Sequence, residues 1–199
     1  LNLPLAKDAG LPNLGGAKIE IVFADTKGEP KNGQAEAERL VTQEKVVAMI
    51  GAYQSSVTKT ASQATERLKI PYVCSDSSSP TLTERGLRYF FRVSPHDAIF
   101  ARDKFNFLKD MEKAGKAKVR TVAALYENTE FGSNVGKQII KLAPEYGYQV
   151  VADISYAANA TDVTSEVGRL IKANPDVLMH ASYITDAILF TKTFKEMGF

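Results

Sequence analysis

The sequence predicts an α/β fold made of two doubly wound parallel-sheet units, on three observations. Short apolar runs alternate with helix-periodic segments from Ala17 to the end, the order expected of βαβ proteins. The runs are close to continuously apolar, which suits parallel strands covered on both faces. The alternation also restarts at Ser94-Pro95-His96-Asp97, where a strand runs into a proline and a long helix follows. Two units of about 100 residues therefore describe the 199-residue chain better than one seven-stranded sheet. The predicted division is 1–96 and 97–199.

In chain order the predicted strands are Lys18–Ala24, Val46–Ile50, Pro71–Cys74, Tyr89–Val93, Val119–Tyr126, Gln149–Tyr156 and Val177–Ala181. Helices are predicted around Ala35–Val41 and Lys59–Arg67. Apolar positions at helical spacing then predict four more: Ala101, Phe105, Leu108 and Met111; Val135, Ile139, Leu142 and Tyr146; Val163, Val167 and Leu170; and Ala187, Phe190, Phe194 and Met197. Each set puts one apolar stripe on one helix face, to be buried against a sheet. Asp97, Asp162 and Thr185 stand near helix starts, and Gly115 and Gly147 just past helix ends. Leu1–Ala9 resembles the last turns of a helix, and Met197-Gly198-Phe199 stops where another strand is due. We expect the sequence to be part of a longer protein, with both units partial.

Composition excludes several classes of function. The chain is 44% hydrophobic and 24% charged, ordinary for a globular protein and unlike a disordered one. No apolar run approaches the roughly 18 residues of a membrane helix. The net charge is +2 with both signs interspersed, so there is no basic stripe for nucleic acid. Cys74 is the single cysteine, which leaves no disulfide within this sequence and no CxxC pair. The start, Leu1-Asn2-Leu3-Pro4, has neither the basic nor the apolar region of a signal peptide.

Catalytic and cofactor motifs are missing as well. GxGxxG after a strand, GxxxxGK[ST], GxSxG and HExxH are all absent, so no cofactor and no metal is expected. Gly132-Ser133-Asn134-Val135-Gly136 lacks the P-loop lysine and reads as a helix N-terminus, either closing over a cleft or acting only as a cap. His96 and His180 lie far apart, and His180, inside an apolar strand, reads as a buried histidine. Cys74 reads as a small buried hydrophobe. The carboxylate pairs Glu36/Glu38 and Glu127/Glu130 read as solvated.

Two serine clusters stand out. The strand ending at Ile50 is followed by Gly51-Ala52-Tyr53-Gln54-Ser55-Ser56-Val57-Thr58, and the strand ending at Cys74 by Ser75-Asp76-Ser77-Ser78-Ser79-Pro80. Either cluster alone reads as a cap or a polar turn. Together they sit at the carboxyl ends of neighbouring parallel strands, where open α/β sheets bind ligands. Hydroxyls and free backbone N–H groups there suit a small carboxylate.

A family resemblance rests on particular residues. Asp25-Thr26-Lys27-Gly28-Glu29-Pro30, the helix Ala35–Val41, Lys45 to Gly51, Ile70-Pro71, Ser79-Pro80-Thr81-Leu82-Thr83 and Phe90-Phe91-Arg92-Val93 follow one pattern. Phe131-Gly132, Asp162, Pro175-Asp176 and Met197-Gly198-Phe199 continue it in register. Over nearly its whole length the chain resembles the periplasmic substrate-binding proteins of branched-chain amino-acid ABC transporters, of the type I binding-protein fold.

The resemblance implies two lobes joined by a hinge that close on a small amino acid. It implies that Ser55 holds the ligand carboxylate and that Ser78 contacts both carboxylate and ammonium. The main-chain carbonyl at Asp76 would accept from the ammonium. Tyr183 would reach in from the second lobe, with Phe131 where tyrosine is common and Tyr53 on the pocket wall. Gln54 stands where the branched-chain binders carry a disulfide. The implied partners are a small-molecule ligand and an ABC permease. The implied state is a monomer, either free in the periplasm or tethered to the membrane surface. A sensing domain for amides or aromatic acids shares this fold and stays open as an alternative, as does an α/β enzyme using Cys74 or His96.

Overall fold

The computed structural model describes residues 10–199, and the helix ending expected over 1–9 lies outside them. The elements are α1 (Pro30–Thr42), β1 (Met49–Ile50), α2 (Ser55–Arg67), β2 (Tyr72–Cys74), β3 (Phe90–Arg92), α3 (Asp97–Lys113), β4 (Thr121–Glu127), α4 (Glu130–Glu145), β5 (Gln149–Tyr156), α5 (Thr164–Ala173), β6 (Val177–Ala181) and α6 (Ile184–Met197). They build two parallel sheets, in the orders β1-β2-β3 and β5-β4-β6. Helices connect β1 to β2 and β4 to β5, while β2 reaches β3 through a loop holding the short 3-10 turn Pro80–Thr83, and every strand pairing within the two sheets is parallel.

The second sheet is covered on both faces, and β4 shows how. Its residues Val122, Ala123, Ala124 and Leu125 are all fully buried. Alternation sends Val122 and Ala124 to a layer with Phe105 of α3 and Val135 and Ile139 of α4. Ala123 and Leu125 go to the opposite layer, with Val167 and Leu170 of α5 and Phe190 of α6. Phe105 is fully buried, with its ring 5.2 Å from that of Tyr146 and 5.8 Å from that of Tyr148. At the other end of β4, Asp176 Oδ2 accepts from the amides of Arg120 and Thr121 at 2.8 and 2.9 Å, tying the start of β6 to β4. Those bonds hold its carboxyl below the usual carboxylate range.

The first sheet differs from expectation. One face buries Tyr72, Cys74 and Phe90 against Ala61 and Ala64 of α2 and Ala37 of α1. The helices lie close because α1 carries glycine at the contact: a Cβ on Gly33 would come within 2.6 Å of Val57 Cγ1. Among the described residues the other face is uncovered, leaving Ile50 78% and Phe91 53% exposed. Lys18–Ala24 forms no strand either. It has no ladder partner among the described residues, and Phe23 is 85% exposed. Its apolar, β-branched residues favour extension, but a strand also requires a neighbour to accept its hydrogen bonds. For the same reason Val46–Ile50 shortens to Met49–Ile50, which pairs only with β2.

Several local signals appear as read. Gly115 and Gly147 lie just past the ends of α3 and α4 with φ of 67° and 81°; Gly198, which the sequence reading does not single out as a helix end, closes α6 in the same way with φ of 76°. Asp162 Oδ1 accepts from the Thr164 amide at 3.0 Å at the start of α5.

Candidate functional site

The chain leaves β1 and β2 at the same edge, and the two loops are bonded together. The Thr58 and Ser77 hydroxyls lie 2.6 Å apart, and the Ser77 hydroxyl donates to the Ala52 carbonyl at 2.7 Å. Ser77 is thereby committed to structure, which leaves Asp76 and the buried Ser78 of the same loop to line the cleft. Ser55 opens α2, and its Oγ accepts from the Ser79 amide at 3.3 Å. The amides of a first helical turn have no intrahelical acceptor, so the positive end of α2 meets Ser55 and the second serine cluster.

The second sheet supplies the facing wall. Phe131 sits in the first turn of α4, and Tyr183 lies between β6 and α6. The Tyr183 ring is 5.4 Å from Phe131 and 5.7 Å from Tyr53, which comes from the β1 loop. Tyr53, Ser55, Asp76, Ser78, Phe131 and Tyr183, the six residues singled out from the sequence, all line one cleft of about 960 Å3. That volume is in the usual range of ligand sites.

The cleft continues beyond them. It runs along α3, where Asp97, Phe100, Lys104 and Phe107 line it, and along β6, which includes His180. Sequence reading placed Asp97 only near a helix start and did not single out the rest of the α3 face. A signal was present: Phe100, Lys104 and Phe107 step by four and three, a second stripe beside the core stripe of Ala101, Phe105 and Leu108.

Burial governs the titration of these groups. Asp97 is 1% exposed, and burial pushes its carboxyl up to about 6 against the opposing pull of the Ser78 hydroxyl, Arg92 and Lys104. The Tyr183 hydroxyl is buried and finds no hydrogen-bond partner among the described residues, and burial raises its phenol. His180 is pushed down to about 4, first by burial and then by Lys104, so it is neutral at physiological pH. Its ring packs edge-on to Phe190 at 4.8 Å.

Two carboxylates read as solvated are not. Glu127 is fully buried at the end of β4, where its carboxylate accepts from the Thr129 hydroxyl at 2.8 Å and from the Gly132 amide at 2.5 Å. The glycine-rich start of α4 therefore receives the protein's own anion. Glu130 crosses to the first unit: Oε2 accepts from Lys59 at 2.8 Å, and Oε1 accepts from the Thr81 hydroxyl and, at 3.3 Å, from the Ser79 hydroxyl. Cys74 is fully buried with its thiol donating to the Ser77 carbonyl at 3.4 Å, and burial pushes its pKa up. That is the opposite of an activated nucleophile.

Comparison with known proteins bears on the family and the fold. A family profile described as a periplasmic binding protein matches residues 5–199. The Leu/Ile/Val-binding protein homolog 7 of Brucella suis is 33% identical over 189 residues, covering 92% of this chain and 47% of the relative. The homolog 8 of Brucella abortus is 32% identical over 190 residues, covering 93% and 47%. Among solved structures, a leucine binding protein of Thermotoga maritima superposes with a TM-score of 0.83 at 23% identity, over 92% of this chain and 51% of that one. A solute binding protein of an ABC transporter from Rhodopseudomonas palustris, in complex with 3,4-dihydroxybenzoic acid, gives a TM-score of 0.80 at 22% identity, over 92% and 48%. The chain spans about half the length of the curated relatives it matches.

Proposed function

This chain belongs to the periplasmic binding protein family, and from that membership we propose that it captures a small amino acid, branched-chain or related, between two lobes for delivery to an ABC permease. The lobes are 1–96 and 97–199, with the hinge at Ser94–Asp97. The observation that carries the reading is one cleft with Ser55 and Ser78 on one side and Phe131 and Tyr183 on the other. Neutral hydroxyl and amide donors hold a carboxylate at roughly 1.5–3 kcal/mol each without a buried protein counter-charge. The relatives' names support the ligand class, and the family's description supports an extracytoplasmic location.

The reading is tested by thermal shift of the full-length protein against the twenty amino acids, hydroxybenzoates, amides and urea. Ligand at 100 times its dissociation constant adds about 2.7 kcal/mol. A shift with an aliphatic amino acid is the expected result. A shift with hydroxybenzoates alone favours the second reading, an aromatic-acid binder. That reading is supported by the aromatic wall of Tyr53, Phe100, Phe107, Phe131 and Tyr183.

Glu130 is the contact that holds the lobes closed in this reading. Burial opposes its ionisation, but the bonds from Lys59 and Thr81 win and hold its carboxyl below the usual range. A depressed carboxyl keeps the contact intact at neutral pH and loses it only as pH falls through that lowered value. Because Lys59 is half exposed, the contact is worth about 1 kcal/mol, so Glu130→Gln lowers affinity about five-fold by favouring the open form. Titration calorimetry and the radius of gyration of the ligand-free protein check this. An unchanged affinity and radius would remove Glu130 from closure.

A further inference from the structure

We propose that Glu127 is a positioning residue for the cleft, its buried carboxylate clamping the turn that carries Phe131 and Glu130; the assignment rests on the reading of the cleft as a ligand site. Glu127 ends β4 and is fully buried. Its Oε2 accepts from the Thr129 amide, and its Oε1 accepts from the Thr129 hydroxyl and the Gly132 amide. The residues held between those two anchors are Glu130 and Phe131. Phe131 lines the cleft, with its ring 5.4 Å from that of Tyr183. Glu130 makes the contact between the units, accepting from Lys59 at 2.8 Å.

More is built here than a helix start requires. Thr129 stands at the cap of α4, where a hydroxyl ordinarily accepts from an amide of the first turn. The Thr129 side chain makes no such bond, and its hydroxyl donates to Glu127 instead. A threonine cap satisfies a first-turn amide at little cost, whereas a carboxylate taken out of water is expensive. Glu127 has no ion-pair partner among the described residues, so two amides and a hydroxyl offset that cost. Gly132 belongs to the same device. A Cβ there would lie 2.8 Å from Glu127 Oε1, so glycine is what lets the carboxylate close on the amide. What the clamp adds over a cap is rigidity from Thr129 to Gly132. Side chains that meet a ligand are aimed by the bonds behind them, and play in those bonds weakens binding.

The test is Glu127→Gln in the full-length protein, which keeps the shape but turns one oxygen into an NH2 that cannot accept from Thr129 or Gly132. Titration calorimetry with L-leucine is expected to show about a 10-fold loss of affinity in the wild-type background. In the Glu130→Gln background the loss falls to about two-fold, because the contact that the clamp aims is already gone. Equal fold losses in the two backgrounds overturn the assignment, as does unchanged affinity in a variant that circular dichroism shows to be folded. Fluorine NMR of para-fluorophenylalanine in place of Phe131 gives a readout without ligand. One resonance is expected with Glu127 intact and a broadened or split one in Glu127→Gln; identical spectra overturn the assignment. Wild-type protein that does not bind L-leucine overturns the amino-acid reading of the cleft, and the fluorine spectra then decide the clamp by themselves. If Glu127→Gln does not fold, Thr129→Val, which removes the hydroxyl bond and keeps the amide, replaces it in both measurements. Its expected loss is about three-fold, again smaller in the Glu130→Gln background, and wild-type affinity and spectrum overturn the assignment.

Discussion

Ser55→Ala lowers ligand affinity roughly 10- to 100-fold, the equivalent of one hydrogen bond to a charged carboxylate at about 1.5–3 kcal/mol. Ser55 is 1% exposed and stands at the first position of α2, so the lost hydroxyl is not replaced by water at no cost. Its Oγ also accepts from the Ser79 amide, so the ligand-free protein loses about 1 kcal/mol of stability at the same time. The two effects separate by measurement, calorimetry for affinity and thermal melting without ligand for stability. Ser78→Ala is expected to behave similarly. Undiminished affinity in both variants would show that the carboxylate does not bind at this edge.

Gly132→Ala destabilises the protein by about 3 kcal/mol, the upper end of what overpacking costs. A Cβ at Gly132 would lie 2.1 Å from the Glu127 carbonyl oxygen and 2.8 Å from both its amide nitrogen and Oε1. Backbone cannot rotate away as a side chain can, so the end of β4 or the start of α4 must move. That movement also pulls amides from the buried Glu127 carboxylate, which has its partners there. For a domain of this size the melting temperature falls about 6–12 °C. Gly136→Ala is the comparison: the three atoms nearest its Cβ belong to the Tyr126 ring, the closest at 2.4 Å, so a side chain rather than backbone must give and the loss is expected to be smaller. The argument fails if the two variants melt alike. Phe131 and Glu130 share this turn, so Gly132→Ala is expected to weaken binding as well.

Much of the second unit was legible in the sequence because its information is local. Gln149–Tyr156 and Val177–Ala181 are strands over the residues that the apolar runs marked. Asp162, Gly115 and Gly147 mark helix ends through backbone geometry that depends on their own chemistry. The serine clusters could be placed at one cleft because a parallel sheet brings the carboxyl ends of neighbouring strands together.

What only the tertiary structure decided were properties of pairing and burial, which no residue holds alone. Lys18–Ala24 has strand chemistry but no ladder partner among the described residues, so it forms no strand there. Glu127 and Glu130 are three residues apart and look alike in sequence. One is fully buried under Gly132, and the other reaches Lys59, 71 residues away in the chain. Asp97 looked like a helix-start acid, and it became a buried acceptor in the cleft only because the loop carrying Ser78 folds against its amide. Periodicity and caps are set by neighbours along the chain, so the sequence by itself determined the elements and their order. Burial and hydrogen-bond satisfaction are set by neighbours in space, so only the folded chain decided which carboxylates are buried and where each one points.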